Sequence, residues 1–258
     1  MARYEVDDDG IPGLTLALRL RLKGHQVALA PAGARVELDQ TFTLPAPYRD
    51  LLLKSGVALE DATPLRSAPG RRFTIDGHVI ELPHVGPHSG AIGEALGAPA
   101  GRQWAALIRV AADTWGTLRT GTHVSRRSLS ALMRDELRDR RLRQLLEAYL
   151  EPHGLAAASI GDAAVVLPYL DQTFGRWQFG HGLASLEAEL RTRCARLGVA
   201  TQPNAGEYLS LDSYWTAQFA APKPWWRSGE VDSLSTAGLG LPWVGMAADF
   251  IADRIGRA

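Results

Sequence analysis

The chain has 258 residues, enough to bury a sizeable core in one large domain or two small ones. Its composition, 46% hydrophobic and 22% charged, is that of an ordinary globular protein, and its 28 basic and 28 acidic residues cancel, so no overall charge recruits nucleic acid or an anionic membrane. One cysteine, Cys194, excludes an internal disulfide and any multi-thiolate metal site. The charged start from Met1 to Asp9 lacks an apolar targeting core, and no apolar run approaches the ~20 residues of a membrane-spanning helix. The expectation is a cytoplasmic protein without stable membrane insertion.

In chain order, 11–30 reads as turn, helix and strand. Good helix formers (Ala17, Arg19, Arg21, Lys23) separate the leucines from Leu14 to Leu22, Gly24 stops the helix, and Val27 to Ala30 form a short apolar strand. Tyr48 to Ser55 predicts a helix ended by Gly56. Phe73 to Leu82 predicts a β-hairpin turning at Asp76-Gly77. The Gly-, Pro- and Ala-rich stretch from Val85 to Gly101 reads as a loop or weakly helical linker. Helices then dominate to Tyr149, with Trp104, Leu107, Ile108, Ala111 and Trp115 on one face. Further helices are expected over Leu183–Leu197, closed by Gly198, and over Met246–Ile255, with a short strand at Val199 to Thr201.

Seven histidines invite a search for metal ligands. His84 and His88 have helical spacing, but Pro83 and Pro87 break any helix there and no carboxylates accompany them, so no metal is expected. Neither a nucleophile elbow nor a Walker loop occurs. Cys194 reads as a quiet structural thiol.

The order of several short motifs carries a resemblance. Gly10-Ile11-Pro12-Gly13-Leu14 is followed by Gly24-His25-Gln26-Val27 and then Ala28-Leu29-Ala30. Further on come Leu44 to Leu51, Phe73 to Leu82, Tyr169 to Trp177, Gly182 to Leu186, and Gly238 to Met246. Together they resemble the phytoene-desaturase branch of the amine-oxidase-like FAD-dependent oxidoreductases, across most of the chain. The resemblance implies an α/β fold, a remnant of the Rossmann-like flavoprotein type, with a mainly helical cap or substrate region. Residues 1–82 and 183–258 would form the degenerate dinucleotide-binding part and 83–182 the cap. Members of that family are much longer than this chain.

The cofactor fingerprint departs from the family. A Gly-x-Gly-x-x-Gly turn brings backbone amides and a helix N-terminus to a pyrophosphate. Here Asp8 stands at the first glycine position, between Asp7 and Asp9, ahead of Gly10 and Gly13. Pro12 removes an amide donor. Ala30 stands where the family places an acid for the ribose hydroxyls, and Pro31 to Arg35 is all that remains of the expected Gly-Gly-Arg turn. The expectation is that no FAD or NAD binds; an FAD-dependent enzyme with an atypical site is the alternative.

Two further features bear on function. His181 stands where the family has a glycine facing the flavin ring, among Phe174, Trp177 and Phe179, and is the candidate general acid or base; a histidine packed within a turn is the structural alternative. Trp104, Trp115, Tyr169, Trp177 and Phe179 are the candidate walls of a cavity. The insert Tyr208 to Arg227, with Trp225-Trp226, reads as a plug for a core or interface. These features lead to a flavin-free protein acting on an apolar polyene, isoprenoid or polyketide-like substrate by cyclisation or isomerisation. A non-catalytic lipid-binding or partner subunit, as a homo-oligomer or paired with a full-length homologue, is the rival.

Overall fold

The computed structural model describes residues 3–6, 8–30, 40–119, 127–151, 156–201, 207–209 and 241–258. The turn at 31–35, the paired tryptophans Trp225 and Trp226, and Gly238 to Gly240 lie outside the described residues. In chain order the elements are β1 (Arg3–Val6), α1 (Ile11–Leu22), β2 (Gln26–Leu29), β3 (Thr41–Phe42), α2 (Ala46–Lys54), α3 (Leu59–Ala62), β4 (Leu65–Ser67) and the hairpin strands β5 (Arg71–Ile75) and β6 (His78–Leu82). There follow α4 (Ser89–Leu96), α5 (Ala98–Arg119), α6 (Leu129–Glu136), α7 (Arg140–Ala148), a 3-10 turn at Asp162–Val165, α8 (Val166–Phe174), β7 (Trp177–Phe179), α9 (Leu183–Arg196), β8 (Glu207–Leu209) and α10 (Leu241–Ile255). No helix among the described residues is long and apolar enough to cross a membrane.

The chain divides into two units. The first takes the described residues through Arg66, those from Trp177 to β8, and α10; the second runs from Ser67 to Arg176. The joints thus fall before the β5–β6 hairpin and before β7, rather than after Leu82 and Gly182.

The first unit is built on a parallel sheet of order β2-β1-β8. Tyr4 pairs with Val27 and Val6 with Leu29, so α1 is the crossover of a β-α-β unit. Where a short strand was expected at Val199 to Thr201 there is a single parallel bridge: Ala200 exchanges hydrogen bonds of 2.9 Å with Val27 and Leu29. Helix α1 is buried continuously from Ile11 to Leu20. A helix apolar on all sides belongs inside a core, and α1 packs against α9 and α10 there. Two polar residues share its burial, each with partners. Thr15 Oγ1 donates to Ile11 O at 2.6 Å. Arg19 reaches Asp50 at 2.5 Å, Asp249 at 3.2 Å and the Pro47 carbonyl at 2.9 Å, tying α2 and α10 to α1. Gly24, at φ 93, closes α1, and His25 is buried with Nε2 2.9 Å from Gly256 O. A second small sheet, β3-β7-β4, completes this unit.

In the second unit the hairpin turns at Asp76 (φ 47) and Gly77 (φ 79), the twin positive φ values of a tight two-residue turn. The predicted apolar face of α5 is buried in full, from Trp104 to Trp115. The stretch from Val85 to Gly101, expected as a loop or weakly helical linker, carries α4 and the first turn of α5. The reason is contact between helix backbones. A Cβ on Gly101 would lie 2.5 Å from Ser89 O and 3.1 Å from Gly93 Cα, so these glycines let α4 and α5 pack closely. Glycines that read as helix breakers in isolation are here the condition for helix packing.

Candidate functional site at the β1–α1 turn

The turn between β1 and α1 is where a dinucleotide-binding β-α-β unit meets a pyrophosphate: the sheet ends, and the first amides of a buried helix point outward with the positive end of its dipole. Two amides at this turn have a partner already. The Gly10 N–H donates to Asp8 Oδ1 at 2.7 Å, and the Gly13 N–H donates to Asp8 Oδ2 at 3.0 Å. One carboxylate therefore spans both glycine amides. Pro12, in the first turn, has no N–H to offer a second anion.

The fit is tight. A Cβ on Gly13 would fall 1.7 Å from Asp8 O and 2.9 Å from Asp8 Cβ, and one on Gly10 would fall 3.0 Å from Asp8 Oδ1. Both glycines are thus explained by the approach of Asp8 itself. The turn is also held from α9. Arg191 Nη2 donates to Asp9 O at 2.6 Å and to Glu187 at 2.8 Å, and lies 3.8 Å from the Asp9 carboxylate. At the end of β2, the Ala30 N–H is taken by Val6 O at 2.8 Å, and its methyl side chain has no acceptor for a ribose hydroxyl. The described residues at this turn do not fit a dinucleotide. The sequence had marked Asp8 as a charge that repels phosphate; the role it missed is that of a cap. The signal was legible, because an Asp side chain readily accepts from the backbone N–H two residues on, here that of Gly10.

The remaining candidate residues fall into separate groups. In the second unit Trp104 is fully buried, its ring 6.3 Å from Tyr149 and its Nε1 without a partner among the described residues. Trp115 is 7% exposed and meets Phe174 edge-on at 6.3 Å; half-buried Tyr169 meets the same ring at 6.4 Å. Phe174 thus gathers two of the predicted wall residues. In the first unit half-buried Trp177 pairs across the strands with Phe42, and Phe179, 4% exposed, stacks on Phe42 at 4.8 Å. His181 stands two residues further on, exposed in the turn that leads to α9. That turn is fixed by its backbone: Gly180 N–H donates to Pro64 O at 2.6 Å and Gly182 N–H to Phe179 O at 3.0 Å. Its side chain faces solvent rather than a packed core.

Sequence reading did not anticipate a buried polar cluster in the second unit. Arg71 pairs with Asp171 at 2.5 Å and lies 4.9 Å over the Tyr149 ring. His88 is 1% exposed; its Nε2 lies 3.2 Å from Pro83 O and its Nδ1 3.4 Å from the Tyr149 hydroxyl. Because a carbonyl only accepts, Nε2 carries the proton and Nδ1 accepts from Tyr149, the arrangement of a neutral imidazole. Burial, opposed by Asp171, holds the His88 pKa below its ordinary value, and burial raises that of Tyr149. Burial also pushes the Cys194 thiol up to about 12, against the pull of Arg191, so the lone cysteine is an inert donor to Leu14 O. No group of three or more potential metal ligands occurs among the described residues.

No protein family and no curated protein matches the sequence. Solved structures do. An oxidoreductase from Methanosarcina mazei superposes with a TM-score of 0.52 at 15% identity, over 81% of this chain and 51% of its own. A protein of Pyrococcus furiosus gives 0.44 at 10%, over 81% and 51%, and cyclohexylamine oxidase from Brevibacterium oxydans gives 0.45 at 14%, over 78% and 51%. The chain spans about half the length of the structures it matches. The likeness to the Methanosarcina protein is one of fold, a mixed helix and strand architecture shared with an oxidoreductase.

Proposed function

We propose that this protein works without a dinucleotide, as a non-redox relative of the phytoene-desaturase branch. Its chemistry is cyclisation or isomerisation of an apolar polyene, isoprenoid or polyketide-like substrate. The observation that supports this reading is the Asp8 carboxylate seated on the Gly10 and Gly13 amides. A second anion brought to the same amides would have to displace a covalently attached one and sit beside its charge. Cyclisation and isomerisation suit such a turn, because they ask for a shaped apolar surface and a proton donor or acceptor, with no hydride to transfer. His181, exposed and held by a short hydrogen-bonded turn, is the proposed acid or base. Trp177, only half-buried in the same unit, keeps ring surface for an apolar ligand.

A second reading is favoured by a different observation. Trp104, Trp115 and Phe179 are nearly or fully buried, packed on aromatic neighbours, as rings that fill a core rather than line a cavity. On that reading the protein is a non-catalytic lipid-binding or partner subunit. The visible spectrum of the purified, desalted protein tests the premise common to both. A colourless protein is expected; flavin absorbance in stoichiometric amount would return the chain to the FAD-dependent enzymes. Turnover of a polyene by the isolated chain would then decide between the two readings.

A further inference from the structure

We infer that Asp8 does more than exclude a phosphate: it is the internal replacement for one. The inference rests on the dinucleotide-independent reading above and gives it a physical basis. Helix α1 is buried along ten successive residues, so the partial positive charge of its N-terminus and its free amides need an anion there whether or not a ligand exists. In a dinucleotide protein the ligand supplies it. Here both oxygens of one carboxylate do so, at 2.7 and 3.0 Å.

Three independent features fit a permanent occupant. Gly13 leaves room for the Asp8 backbone at a distance that admits no side chain. The next residue, Asp9, is held through its carbonyl by Arg191 from α9. Pro12 has no N–H, so the first turn offers one amide fewer to a second anion. The consequence is that the fold owes no stability at this turn to any phosphate-bearing ligand, whereas removal of the carboxylate alone leaves a place that an anion from solution can fill.

Chemical rescue tests this. In Asp8→Ala the backbone and Cβ remain and only the carboxylate is lost. The folding equilibrium constant is expected to fall roughly 2- to 30-fold, the range for loss of a helix cap. Millimolar inorganic phosphate should restore a substantial part of it, while sodium chloride at equal ionic strength should not. Wild-type protein should respond alike to both salts. The inference is overturned if Asp8→Ala is as stable as wild type, or if it is destabilised and phosphate restores no more than chloride. Should Asp8→Ala not fold, Asp8→Asn keeps an acceptor of the same shape without the charge. It is expected to melt below wild type by a margin that narrows as salt rises, because charge–dipole attraction is screened. Equal melting at low salt would also overturn the inference. Failure here with a colourless wild-type protein leaves the dinucleotide-independent reading standing; a yellow wild-type protein removes that reading itself.

Discussion

His181 and His88 show how differently one residue type behaves in this chain. His181 is exposed on a turn held by backbone hydrogen bonds. If it is the acid or base, His181→Gln should fold and bind as wild type does and lose ~10²–10⁴ in turnover; an unchanged rate removes it from the mechanism. His88 is the opposite case, neutral and sealed between Tyr149 and Pro83. Its pKa is depressed in the fold, chiefly by burial, with Arg71 adding to the effect and Asp171 opposing it. The unfolded chain therefore binds the proton first as pH falls. The stability that His88 contributes is full above its unfolded value of about 6.5 and is lost as pH drops through the folded value. Denaturant midpoints should fall from pH 7 towards pH 5, and His88→Gln should flatten that part of the curve. A curve of unchanged slope in the variant would assign the loss to other groups.

Among the elements, the α4–α5 pair brings glycine backbones into contact at Gly93 and Gly101. Alanine is the better helix former by ~1 kcal/mol, so propensity alone predicts that any Gly→Ala change in α5 stabilises. Close contact predicts a sign that depends on position. At Gly101 a methyl would meet the Ser89 carbonyl at 2.5 Å, and Gly101→Ala should cost ~1–3 kcal/mol as the helices are forced apart. At Gly116, in the same helix, nothing among the described residues lies within 4 Å of the added methyl, and Gly116→Ala should stabilise by ~0.5–1 kcal/mol. Urea denaturation of the two variants checks this pair; stabilisation by both would show that helix propensity, not backbone contact, governs α5. The α1–α2–α10 assembly uses a different device, the Arg19 fork. Arg19 and Lys54 hold the Asp50 carboxyl below its usual range although burial opposes them, while burial raises Asp249 against the pull of Arg19. The two acids share one guanidinium and end on opposite sides of their ordinary value.

For the molecule as a whole, the Asp8 contacts at the β1–α1 turn lead to a prediction of how stability responds to ligands. A protein with a micromolar dinucleotide site gains ~2.7 kcal/mol at a hundredfold excess, which for a chain of this size raises Tm by roughly 5–10 °C. Here FAD or NAD at such excess is expected to leave Tm where it was, as followed by thermal melting with intrinsic tryptophan fluorescence. A dinucleotide-dependent rise of several degrees would mean that the phosphates find donors other than Gly10 and Gly13. The same measurement bears on the relation to the oxidoreductase fold. A shared architecture at 15% identity carries no chemistry with it, since chemistry resides in the site.

Local signals in the sequence were enough for the elements whose period and punctuation agree. The α1 leucines with Gly24, the Asp76-Gly77 hairpin, the apolar face of α5 and the closing Gly198 of α9 each form where their residues place them, because propensity, burial and turn chemistry act in one direction. The order of the motifs around Gly10 and Gly13 likewise pointed to an oxidoreductase-like α/β fold. Tertiary structure decided what depends on neighbours distant in sequence. Gly93 and Gly101 form a helix contact because backbones meet there, which no local window registers. Trp104, Trp115 and Phe179, whose composition alone suits a core or a cavity equally, are placed in cores by the rings around them. Asp8 is the clearest instance. Its charge and its departure from the glycine pattern were legible, and repulsion of phosphate followed from them. That the carboxylate turns back onto two amides, and so becomes the anion the helix requires, is a matter of three-dimensional hydrogen-bond geometry.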